Sequence, residues 1–128
     1  MSPPANLTIP ADAVMLAVPA DAVHFRVLRL TTAVVGGELL DVNAVEDAQI
    51  AIEEAASLLL DTDPDGRIEA ALWCEADRLR VCVSAQCRPV TDELDGFRRT
   101  ILDAVTDDVR VEHDTVSGLS TVAFTKSA

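Results

Sequence analysis

The sequence predicts an α+β domain, a two-layer sandwich with helices on one face of a mixed, mostly antiparallel sheet. Three observations predict it. The apolar period is 3.6 residues through the first half of the chain and switches to 2 after "DTDPDG". The elements then run strand, helix, helix, two strands, helix, two strands. Finally, 128 residues suffice for one hydrophobic core and fall short of two.

Residues 1–12, rich in Pro and Ala, read as a flexible N-terminal arm, and residues 13–128 as a single domain. "VMLAV", Val14 to Val18, is a short buried strand ended by Pro19. "PADAVHFRVLRLTTAVV" sets Val23, Val27, Leu30 and Val34 on one helical stripe, the expected core face, with Arg26 and Arg29 off it. Gly36 and Gly37 close that helix. Asp41 is placed to cap a second helix, in which Val45, Ala48, Ile52, Ala55 and Leu59 recur at spacings of three and four as far as Leu60.

Alternation follows: Ile68, Ala70, Leu72 and Cys74 share one face of Arg67 to Glu75, and Leu79, Val81, Val83 and Ala85 one face of the next strand. "EADR" is the hairpin turn between them. "DELDGFRRTILDAV" is helical, with Asp92 as cap, Glu93 in the electropositive first turn and Gly96 weakening the start. Val109 to His113 and Thr121 to Thr125 form a closing pair around "TVSG".

Apolar residues make up 49% of the chain and aromatics 3%, so Ala, Val, Leu and Ile must build the core, with Phe25, Trp73, Phe97 and Phe124 as its few large pieces. No apolar run approaches the roughly 18 to 20 residues of a membrane span, and "MSPPANLTIP" lacks a secretion signal. A cytoplasmic protein without a membrane partner is expected. Cys74, Cys82 and Cys87 are odd in number and show no C-x-x-C spacing, so buried reduced thiols are expected rather than disulfides or zinc. The net charge of −12 repels a phosphate backbone, which excludes nucleic acid and favours a basic protein surface.

The second helix, "VEDAQIAIEEAASLLL", resembles the first ATP-site motif of the anti-sigma factor serine kinases of the RsbW and SpoIIAB type, members of the GHKL superfamily. Val45, Ala51, Ile52, Glu54, Ala55 and Leu59 sit where the pattern V-x-D-L-R-L-A-V-D-E-A-C-T-N-L-I has their type. "LRVCVSAQC", "ILDAVTDDVRVEHD" and "STVAFTK" are similar to the family's later segments, so the likeness runs from Val14 to Lys126. It implies a Bergerat, or GHKL ATPase-like, fold.

The family's chemistry needs four elements, and the resemblance implies a place for each. Glu54 matches the general base. The asparagine that holds Mg²⁺ is here Leu58, whose isobutyl group offers no lone pair. The D-x-G-x-G motif that recognises adenine reads Ala85, Cys87 and Pro89 at its three fixed positions, without acceptor or glycines. Between Pro89 and "FRRT" the chain has only "VTDELDG" in place of a glycine-rich lid. Loss of ATP binding and kinase activity is therefore expected, with no cofactor and no metal. Asp47 and Glu54, seven apart, share a helix face, but Leu58 completes the row and spoils it as a metal site.

His24 and His113 lie on different elements as surface or edge histidines without triad spacing. Arg98 and Arg99 read as a solvated helix face. The resemblance further implies a homodimer that sequesters an alternative sigma factor and is released by a STAS-type anti-anti-sigma antagonist. Two alternatives stay open: an active ATP- and Mg-dependent serine kinase that phosphorylates the antagonist, and a small α+β ligand-binding or dimerisation module.

Overall fold

A computed structural model describes residues 8–90 and 92–128, with residues 92–95 described by their backbone alone. The strands are β1 (Val14–Pro19), β2 (Arg67–Glu75), β3 (Arg78–Gln86), β4 (Asp108–Asp114) and β5 (Leu119–Ser127). The helices are α1 (Phe25–Gly36), entered through a 3-10 turn (Ala22–His24), α2 (Val42–Leu60) and α3 (Asp92–Val105). The sheet order is β1-β2-β3-β5-β4.

Every neighbouring pair in that sheet is antiparallel, which corrects the expectation of a mixed sheet. The connections explain this. α1 and α2 form a helical hairpin that returns the chain to the end it left, so β2 runs opposite to β1. β3 and β4, joined by the single helix α3, do run the same way, but β5 inserts between them.

All three helices pack on one face. Ile68, Ala70 and Leu72 of β2, Leu79, Val81, Val83 and Ala85 of β3, and Val122 and Phe124 of β5 point toward them. From the helices, α2 contributes Ala44, Ala48, Ala51, Ile52, Ala55, Ala56, Leu58 and Leu59, and α3 contributes Leu102. Asp41 caps α2 as expected, its carboxylate accepting from the Ala44 amide at 2.8 Å. On the opposite face Ala71, Trp73 and Cys82 form a small second cluster, against which Ile9 and Ala13 pack. Met1 to Leu7 of the expected arm, and the side chains of Asp92 and Glu93 expected at the start of α3, lie outside the described residues.

α1 departs from expectation in its rotation. The buried residues are Phe25, Leu28, Thr32 and Gly36, while Val23, Leu30 and Val34 are 60%, 64% and 77% exposed and Val27 is exposed beside them. Two features let the less apolar stripe face inward. The Thr32 hydroxyl donates to the Leu28 carbonyl at 2.8 Å, so its burial leaves no orphan polar group. At Gly36 an added Cβ would meet Leu40 Cδ1 and Leu79 Cδ2 at 3.3 Å, so the close approach of helix and sheet favours glycine there. Phe97, expected in the core, is also exposed, at the start of α3.

The rotation is testable by stability. Leu28→Ala, which empties a fully buried site, lowers the unfolding free energy by about 2 to 5 kcal/mol, whereas Val27→Ala changes it by no more than about 0.5 kcal/mol. Chemical denaturation of the two variants reads the difference, and the reverse ranking restores the register expected from the sequence.

Candidate functional site

The positions singled out on α2 and after β3 end in two different environments. Glu54 lies on the partly buried flank of α2 that faces α3. Arg98 of α3 reaches across, its Nη1 3.0 Å from Glu54 Oε2 and its Nε 2.8 Å from Asp61 Oδ2. Glu54 and Asp61 are seven residues apart, two turns along one face, so a single guanidinium spans both. Burial opposes the charge on Arg98, but the hydrogen bonds and charges of Asp61 and Glu54 outweigh it, so the group's pKa is raised. Arg99 is also engaged, with Asp103 at 3.5 Å and the Val109 carbonyl at 3.4 Å. The pair is thus a set of internal ties rather than a solvated face.

Leu58, one turn beyond Glu54, is fully buried in the main core, and so is Ala85 on β3. An oxygen ligand cannot be supplied from a side chain surrounded by apolar neighbours. Cys87 packs partly against the same core, its thiol 3.5 Å from the Ala85 carbonyl, and Pro89 is exposed.

The segment that leaves β3 is held by backbone bonds. The amide and Nε of Arg88 both donate to the Thr62 carbonyl at 3.4 Å, Asp65 N donates to Gln86 O at 2.7 Å, and Cys87 N donates to Gly118 O at 3.1 Å. Gly118, at φ +76°, supplies the turn that last bond needs. The end of α2 and the start of the post-β3 segment are therefore tied together.

The remaining candidates disperse. Asp47 pairs with Lys126 of β5 at 3.1 Å and does not meet Glu54. His113 Nδ1 lies 2.7 Å from the Ser120 hydroxyl, its cross-strand partner in the β4–β5 ladder, and His24 ends the 3-10 turn that precedes α1. Among the described residues, no three His, Cys, Asp or Glu side chains are arranged to hold a metal ion. Cys82 is buried as expected, and burial followed by the Glu112 carboxylate pushes its thiol up to about 11. Cys74 is exposed, against expectation. It lies next to the end of β2, where its thiol donates weakly to the Val35 carbonyl of α1 at 3.4 Å.

Arg98, read from the sequence as part of a solvated helix face, is the residue whose tie to the site sequence reasoning missed. Its contact with Glu54 spans 44 positions, and the only local signal was the i, i+7 pair of acids at 54 and 61. No protein-family model matches the chain, and no curated protein matches it. Among the described residues, no helix is long and apolar enough to cross a membrane.

A double-mutant cycle tests whether Glu54 is a structural tie. Glu54→Gln and Arg98→Gln each cost about 0.5 to 1 kcal/mol, modest because both groups remain partly exposed to water. The double variant costs less than the sum, with a coupling of about 0.5 kcal/mol. Strict additivity in urea unfolding contradicts the tie.

Proposed function

We propose that the protein is a regulatory binding protein of the anti-sigma type, built on a Bergerat/GHKL-like scaffold. In this reading it sequesters an alternative sigma factor, pairs as a homodimer, is released by a STAS-type antagonist and works in the cytoplasm. It does so by surface recognition, without ATP binding or phosphoryl transfer. The observation that carries the reading is the burial of Leu58: the position where the resembling kinases hold Mg²⁺ is here part of the hydrophobic core. Ala85 in the same core and Glu54 held by Arg98 support it from two other elements.

Charge supports the choice of partner. At least six of the ten Lys and Arg residues are paired internally: Arg29 with Glu53, Arg80 with Glu75, Arg98 with Glu54 and Asp61, Arg99 with Asp103, Arg110 with Asp108 and Lys126 with Asp47. Little positive charge is left to offset 22 carboxylates. Such a surface speeds encounter with a basic partner and repels nucleic acid. The DNA-contacting regions of a sigma factor are basic, so binding there also masks them.

Two measurements check the reading. Calorimetric titration with ATP and Mg²⁺ gives no saturable heat, and micromolar binding overturns the loss of nucleotide chemistry. Immobilised protein retains a purified alternative sigma factor from the same cell at low salt and releases it as salt rises. Failure to retain any of the cell's alternative sigma factors overturns the proposed partner.

A further inference from the structure

The helices all pack on one face of the sheet, yet the other face also holds buried apolar side chains. Ala71 is 3% exposed there, and Trp73 and Cys82 are 6% exposed. What packs against them is the segment that precedes β1, through Ile9 and Ala13. The Ala13 amide donates to the Pro10 carbonyl at 3.2 Å, a tight turn that carries Ile9 over the sheet instead of along the line of β1.

This cover is held differently from the rest of the fold. β1 is joined to β2 in register from Val14 to Pro19. Among the described residues, Thr8 to Ala13 makes no backbone hydrogen bond to any strand, and Pro10 has no N–H to give one. The fit is also incomplete. A pocket stays open between Ile9 and Met15, over Glu69, Ala71, Cys82 and Ser84, whereas a settled interior leaves few gaps. Ile9 is itself only partly buried, and Met15 beside it is 61% exposed. A segment held by two apolar side chains and no ladder detaches at far less cost than the domain unfolds.

We propose that Thr8 to Ala13 is a strap, docked on the helix-free face of the sheet through Ile9 and Ala13, which lifts while the rest of the domain stays folded. Closed, it hides Ala71, Trp73 and Cys82. Open, it uncovers an apolar patch with a floor of small residues, Ala71, Cys82 and Ser84, and Trp73 as its one large wall. The patch lies across the sheet from Glu54 and Arg98, so the strap controls a second surface without disturbing the tie between α2 and α3. Two groups beneath it report its position. Trp73 is the only tryptophan of the chain. Burial is the first cause of the raised pKa of the Cys82 thiol, so lifting the strap makes that thiol more reactive as well as more accessible.

Alkylation of the full chain with iodoacetamide under native conditions reads the opening, with peptide mass spectrometry separating Cys82 from Cys74 and Cys87. In the wild type the rate at Cys82 stays flat as urea is raised below the unfolding transition, because lifting a strap exposes little surface. Ile9→Asp raises that rate about tenfold or more and moves Trp73 emission to longer wavelength, while thermal unfolding remains a single cooperative transition. Ile9→Ala, the milder change, raises the rate about threefold or more. Val34→Asp, 77% exposed on the outer side of α1, alters neither reading. Cys82 labelling that climbs with urea in step with global unfolding overturns the strap. So does an Ile9→Asp or Ile9→Ala protein, folded by circular dichroism, whose Cys82 labels at the wild-type rate.

Discussion

The fold depends on how closely α2 approaches the sheet. Ala44, Ala48, Ala51, Ala55 and Ala56 line its buried face, so the helix backbone comes near the strands, and Ile52, Leu58 and Leu59 fill the space around it. Each of those three large side chains, removed from water completely, contributes about 1.5 to 3 kcal/mol. α1 and α3 dock on either side of α2, and their own positions follow from its placement. Arg98 then fastens α3 to α2 through Glu54 and Asp61.

In the proposed reading this packing bears on function, because positions 58 and 85, where the resembling kinases hold metal and nucleotide, are occupied here by Leu58 and Ala85 of the main hydrophobic core. The segment beyond β3 is bonded to Thr62 and Gly118. What the molecule presents outward is a surface of carboxylates, interrupted on one side by the apolar α1 and β1.

Much of the architecture was legible in the residues. The bounds of β2 and the cap of α2 came out as read, because alternation and an Asp before an apolar period are local signals. The rotation of α1 was not legible. Two stripes compete on that helix, and hydrophobicity ranks Val23, Val27, Leu30 and Val34 above Phe25, Leu28, Thr32 and Gly36. The choice was made by shape, through the space that Leu40 and Leu79 claim at Gly36, which no single-helix pattern contains. A mostly antiparallel sheet was expected, but that every pair is antiparallel was not legible for a similar reason: strand order depends on β5 inserting beside β3, a long-range event. At the site, Glu54 was found by position and its tie to Arg98 was hidden by sequence distance.

The most direct test of the account is the substitution Leu58→Asn, which places at that position the oxygen ligand that the resembling kinases have there. Its unfolding free energy and its binding of ATP with Mg²⁺ are measured beside those of Leu58→Met, which keeps the volume and the apolar character. A buried core position predicts that Leu58→Asn loses about 3 to 5 kcal/mol, from lost packing and an amide without partners, and gains no nucleotide binding. Leu58→Met stays within about 1.5 kcal/mol of the wild type. A Leu58→Asn variant of wild-type stability, or one that binds ATP with Mg²⁺, contradicts the claim that position 58 is core and holds no metal ligand.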